Sequence, residues 1–113
     1  MYIKTDDYTI RYEPESATAF FQGLLRLDGM EAYQPVMDIL LNAIEASPSF
    51  TINLRDLEFL NSSGISMLSM FVVKARDKGT VNLVFQGSEK TLWQTKSLKN
   101  LQRLMPSLKL EFE

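Results

Sequence analysis

The segment Asn61-Ser62-Ser63-Gly64 holds the side chains of this sequence best placed to do chemistry. One carboxamide and two hydroxyls stand between an apolar run, Phe50-Thr51-Ile52-Asn53-Leu54, and a second run from Ile65 to Val73. That pattern puts them where a strand and its loop hand over to a helix. A helix start presents unpaired backbone N–H groups and the positive end of a dipole. Two chemistries suit such a place. One is plain capping, since Asn or Ser at an N-cap stabilises a helix by about 1 kcal/mol. The other is phosphorylation, which adds about −1.5 to −2 charges and three acceptor oxygens. The N–H groups and the dipole would receive the phosphate. A partner packed over the helix would meet its bulk and charge in a desolvated contact. Modification would then switch binding without unfolding the domain.

Other chemistries find little support. The chain has no cysteine and no histidine. This removes disulfides, thiol and imidazole nucleophile systems, the usual zinc sites and the commonest general base. Asp28, Asp56, Glu58 and Asp77 are spread along the chain with no paired base and no phosphate-cradling glycine loop, so no enzyme is expected. A phosphoaspartate receiver domain needs an acidic pair after its first strand and an Asp ending the central strand. Only Asp56 is near such a place. Lys96, Lys99 and Arg103 cluster late in the chain, and a solvated helix face accounts for them better than an anion site does. A net charge of −2 gives no nucleic-acid footprint.

The elements that must position Asn61–Gly64 follow from periodicity. Tyr8, Ile10 and Tyr12 alternate with polar residues as a strand, ended by Glu13-Pro14-Glu15-Ser16. Ala17 to Leu27 reads as its hairpin partner, with Gly23 marking a bulge or a close backbone approach, and Asp28-Gly29 turns the chain. Tyr33, Val36, Met37, Leu40 and Ile44 have helical spacing, predicting a helix over Gln34–Ala46 with Pro35 in its first turn. Phe50–Leu54 is a short central strand. Ser63–Lys78 is a second helix, closed by Gly79. Val81–Phe85 is a strand. Ser88 is the expected cap of a third helix, with Glu89 favouring its N-terminus. That helix carries Leu92, Leu98, Leu101 and Leu104, bends near Lys96-Ser97 and stops at Pro106. Leu108, Leu110 and Phe112 alternate in a last strand. The order is β-β-α-β-α-β-α-β, in which strands joined by helical crossovers run parallel.

On the second helix, Ile65, Leu68, Val72 and Ala75, flanked by Phe71, point one way and are expected against the sheet. The opposite stripe holds Ser63, Ser66, Met70, Val73 and Asp77, flanked by Ser69 and Lys74. Isolated exposed apolar residues are common. A Met and a Val one turn apart, beside serines, also suit a protein-binding surface, because a thioether adapts to varied partners.

The stretch Leu54-Arg55-Asp56-Leu57-Glu58-Phe59-Leu60-Asn61-Ser62-Ser63-Gly64-Ile65, set in this order of elements, resembles the STAS family, the domains of bacterial anti-sigma factor antagonists and of sulphate-transporter tails. Asp56-Leu57 and Ser62-Ser63-Gly64-Ile65 carry the match, and Gly23-Leu24-Leu25-Arg26-Leu27 looks like the family's second-strand segment without its acidic ending. The resemblance implies one STAS-like α/β domain over residues 1–113. Its sheet would be mixed and mainly parallel, with an N-terminal β-hairpin and helices mostly on one face. In that family the serine before the glycine accepts phosphate, which corresponds to Ser63 here, with Ser62 the second candidate. The resemblance further implies partner switching. A GHKL-type serine kinase doubling as an anti-sigma factor would bind the unmodified protein and phosphorylate it, and a PP2C-type phosphatase would reverse this. Asn61, Ser62, Ser63, Ser66, Met70 and Val73 are the expected partner-binding residues. The family has an acid where this chain has Asn61. The alternative is a STAS-like module that binds another protein or a small ligand with no phosphorylation switch. No cofactor or metal is expected. The acidic start, Met1 to Asp7, is not that of a signal peptide, and no stretch reaches the roughly 20 apolar residues of a membrane span. A bacterial cytoplasmic protein is the expectation.

Overall fold

The computed structural model describes residues 1–113. Six strands lie side by side in sequence order: β1 (Tyr2–Lys4), β2 (Tyr8–Glu13), β3 (Thr18–Leu25), β4 (Ser49–Leu60), β5 (Asn82–Gly87) and β6 (Lys109–Phe112). The β1–β2 and β2–β3 pairs are antiparallel; β3–β4, β4–β5 and β5–β6 are parallel. The helices are α1 (Gly29–Ala32), α2 (Gln34–Ala46), α3 (Ser62–Lys78) and α4 (Leu92–Leu104). The expected fold class holds, and no helix is long and apolar enough to cross a membrane.

Alternation along the strands assigns the faces. Phe50, Ile52 and Leu54 of β4 are buried, while Thr51, Asn53 and Arg55 between them are partly exposed. Phe50 meets Tyr12 of β2 and Phe71 of α3 edge to face, with ring centroids 5.9 and 6.0 Å apart. The core thus lies between the sheet and its helices. The other face is polar: Asn53 Nδ2 donates to Gln86 Oε1, and Gln86 Nε2 to Glu111 Oε1, along one row across β4, β5 and β6.

The helix over Gln34–Ala46 has the expected bounds, and Gly79 closes α3 with a left-handed φ of 78°. Gly23 is both of the things expected. Its φ is +95°, a Cβ there would strike the Asp7 carbonyl oxygen, and the β3–β4 register shifts beside it.

Four expectations need correction. Residues Tyr2–Lys4 form an edge strand on β2, too short to show a period. A single helical turn, α1, follows the Asp28–Gly29 turn. The central strand runs to Leu60 instead of Leu54. Two register shifts in β4 put its later buried residues at Leu54, Leu57 and Leu60, a spacing of three that does not read as a strand. Finally, α4 starts at Leu92 with Thr91 as N-cap and runs unbroken to Leu104. Ser88 does not cap it; its hydroxyl accepts from the Lys90 N–H in a tight turn. Leu92, one of the four leucines of that helix, is 88% exposed.

Candidate functional site at the start of the third helix

The N-terminus of α3 is built around Asn61. With extended backbone (φ −80°, ψ 175°), its Oδ1 accepts the Gly64 N–H at 3.0 Å and its carbonyl accepts the Ile65 N–H at 3.0 Å. The same Oδ1 accepts the Tyr33 hydroxyl at 2.6 Å, and Nδ2 donates to the Leu27 carbonyl at 2.8 Å. One side chain therefore caps α3 and ties it to the segment leaving β3 and to the start of α2. Tyr33 is fully buried, and its hydroxyl also accepts from the Leu27 N–H at 3.4 Å. Desolvation raises the Tyr33 pKa, so the phenol stays a neutral donor.

This geometry gives a physical reason for Asn61 where an acid was expected. A carboxylate accepts and cannot donate. Asp would keep the contacts to Tyr33 and Gly64 but would set an oxygen against the Leu27 carbonyl.

Gly64 is fitted as closely. A Cβ on it would lie 2.7 Å from Leu60 Cγ and 2.7 Å from the Tyr33 hydroxyl oxygen. The glycine lets the first turn of α3 sit directly on these two residues.

Because Asn61 supplies the cap, the serines are released from it. Ser62 is exposed and Ser63 half-exposed, and neither hydroxyl has a hydrogen-bond partner. Their own N–H groups lie in the first turn, where no intrahelical acceptor exists. No acid occupies that turn, and Arg76 and Lys78 sit in the last one. The positive end of the α3 dipole thus faces Ser62 and Ser63 unopposed.

Beyond the serines, Ser66 is exposed, Met70 is 47% exposed and Val73 is half-exposed. Met70 and Val73 line a groove of about 440 Å³ with Ser69, Lys74, Asp77 and, from α4, Leu104. Ser69 differs from Ser62, Ser63 and Ser66 in that its hydroxyl is engaged, donating to the Ile65 carbonyl. The expected core side of α3 is right for Leu68, Phe71, Val72 and Ala75. Ile65 is only half-buried, and Met67 and Gly64 complete that side. Of the expected contact residues, Ser62, Ser63, Ser66, Met70 and Val73 share one accessible stripe. The Asn61 amide is engaged inward on both its atoms.

Two residues that the sequence reading left without a role support this end of the molecule. Beyond Asn53, β4 has no β5 neighbour. Fully buried Gln94 of α4 donates through Nε2 to the Leu54 and Leu57 carbonyls at 2.6 and 2.9 Å, and its Oε1 accepts the Ser88 N–H at 2.8 Å. Half-buried Trp93 donates its indole N–H to the Glu58 carbonyl at 3.1 Å. The helix replaces the missing strand. The only local signal for Gln94 is a polar residue in line with Leu98 and Leu101 on α4's buried side. As for Asp28, Asp56, Glu58 and Asp77, no three acids converge as metal ligands would.

A sheet opened by antiparallel strands, continued by parallel ones and covered by helices, is a STAS-like fold. A chain of the complex between the diguanylate cyclase SiaD and its activator SiaC from Pseudomonas aeruginosa superposes with a TM-score of 0.73 at 12% identity. The match covers 100% of this chain and 99% of that one. Apo-SiaC from the same organism matches equally, at TM-score 0.73 and 12% identity, over 100% and 97% of the two chains. An anti-sigma factor antagonist from Mycobacterium paratuberculosis matches at TM-score 0.64 and 20% identity, over 94% and 88%. No protein-family model and no curated protein sequence matches this chain.

Proposed function

We propose that this chain is a regulatory binding module whose α3 face docks a protein partner, and that reversible serine phosphorylation at the start of α3 controls the docking. The observation that carries this reading is the division of labour at the junction. Asn61 caps the helix, leaving the Ser62 and Ser63 hydroxyls unbonded beside two unpaired N–H groups. Phosphate on Ser63, or on the more exposed Ser62, would meet those N–H groups and the helix dipole. The cap would stay intact. The same phosphate would place two charges at the head of the Ser66-Met70-Val73 stripe and repel a partner desolvating it.

The partner in this reading is a GHKL-type serine kinase or anti-sigma factor, with a PP2C-type phosphatase restoring the free serine. The similarity in fold to an anti-sigma factor antagonist supports it. A second reading draws on the SiaD–SiaC complex, in which the structurally similar chain is the activator of a diguanylate cyclase. There the docked partner is an enzyme that the module turns on, and the site is the same.

The test has two parts. Incubation with its cognate kinase and ATP, followed by mass-spectrometric mapping, should find phosphate on Ser63 or Ser62; phosphate on neither defeats the switch. Capture from native lysate with Ser63→Ala and Ser63→Asp baits should then recover the partner with Ala only. Equal recovery by both leaves a binding module without a switch at Ser63. Genes for a GHKL-type kinase and a PP2C-type phosphatase beside this one would favour the first partner class, and a cyclase gene the second.

A further inference from the structure

α4 borders a second surface besides the Met70–Val73 groove. The exposed cations Lys96, Lys99 and Arg103 stand on α4, which carries no acid, and none of the three forms an ion pair or a side-chain hydrogen bond. Lys99, Gln102 and Arg103 form one wall of a groove of about 660 Å³; Pro106 and the half-buried Leu110 and Phe112 of β6 complete it. That groove runs along the free edge of the sheet. The Glu113 N–H donates to the Gly87 carbonyl, and the Glu113 carbonyl accepts the Glu89 N–H. Residues of a parallel strand alternate in the side to which they bond. The backbone groups of Leu110 and Phe112 therefore point outward, unpaired, between an apolar floor and a row of cations.

We propose that this edge takes an acidic, extended segment of a partner protein, added to β6 as a seventh strand. The free N–H and C=O groups of Leu110 and Phe112 would bond its backbone, Leu110 and Phe112 would receive alternate apolar side chains, and Lys96, Lys99 and Arg103 would receive carboxylates. Charge selects this occupant. A second copy pairing through β6 would bring its own Lys99 and Arg103 against these. Cations beside an open edge discourage indiscriminate strand pairing, and an acidic strand is the sequence class this guard admits. The apolar floor and the unpaired strand edge are recognition features for a polypeptide backbone with apolar side chains, which a nucleic acid does not supply.

The probe is a short blocked peptide alternating glutamate with valine, titrated into the isotopically labelled protein and followed by amide shifts. The expected result is saturable shifts at Leu110, Phe112 and the Lys99–Arg103 turn. Binding should weaken at least about tenfold in the doubly substituted Lys99→Glu, Arg103→Glu protein and also at roughly 0.15 M salt, where the Debye length is about 8 Å. Both substituted positions are exposed, and an unchanged melting temperature verifies the fold. The same peptide N-methylated on alternate amides keeps its charge and loses its donors, so it should not bind. Equal binding of the N-methylated or of a lysine-for-glutamate peptide, no shifts at all, tighter binding of an oligothymidylate, or self-association through β6 would each overturn the proposal.

Discussion

The Tyr33 hydroxyl donates to Asn61 Oδ1 at 2.6 Å, joining the start of α2 to the cap of α3. Since Asn61 Nδ2 also reaches the Leu27 carbonyl, the candidate serines stand on a cross-braced support. Asn61→Asp should destabilise the fold. Setting an acceptor against the Leu27 carbonyl costs about 1–3 kcal/mol, whereas a negative charge at the helix start returns only about 0.3–1 kcal/mol. Urea denaturation of Asn61→Asp measures this directly, and the cycle of Asn61→Ala, Tyr33→Phe and the double variant measures the Tyr33–Asn61 contact, which Ala removes and Asp would keep. Coupling indistinguishable from zero would remove the brace.

Alkali probes the same pair. Burial raises the Tyr33 pKa above the ordinary value of 10.0. The folded state then holds its proton more tightly than the unfolded one. Stability from this group is complete below the unfolded pKa, near 10, and falls as pH rises from there toward the folded value. Melting temperatures taken across that range should drop faster for the wild type than for Tyr33→Phe. Parallel curves would show that Tyr33 is not the group responsible.

Gly64→Ala tests the close approach at the junction. Its Cβ would press on Leu60 and on the Tyr33 hydroxyl, and overpacking of this kind costs about 1–3 kcal/mol. The opposite result, stabilisation by the better helix former, would mean that Leu60 swings aside freely.

Gln94→Met keeps the shape of the α4 side chain and removes its polar atoms. The Leu54 and Leu57 carbonyls and the Ser88 N–H would lose their partner, at roughly 1–3 kcal/mol for each group left unsatisfied and buried. Hydrogen exchange of β4 amides beyond Asn53 should quicken more than that of amides in β2. Uniform exchange across the sheet would argue against a local clamp.

Met70→Lys and Val73→Glu separate binding from folding. Both residues are accessible, so each variant should stay within about 0.5 kcal/mol of wild-type stability. If the α3 stripe is the docking surface, partner capture should fall at least about tenfold in each. Normal capture would move the interface elsewhere.

Local signals carried much of the fold. The period of Tyr33 to Ile44 set α2, the alternation of Tyr8, Ile10 and Tyr12 set β2, and Gly79 closed α3, because each is written within a few neighbouring residues. The start of α3 was legible as a capped junction for the same reason. Which residue caps it was not. Tyr33 and Asn61 are 28 residues apart, and Asn61 and Leu27 are 34 apart. Gln94 reaches back 40 residues to Leu54, holding open a length of β4 whose bulged, three-residue spacing hides it as a strand. The sequence by itself determined the order of the elements other than β1 and α1, and the position of the serines between two of them. Only the tertiary structure decided that Asn61 does the capping and leaves the serines free. Hydrogen bonds between segments distant in the chain exist only once packing has brought those segments together.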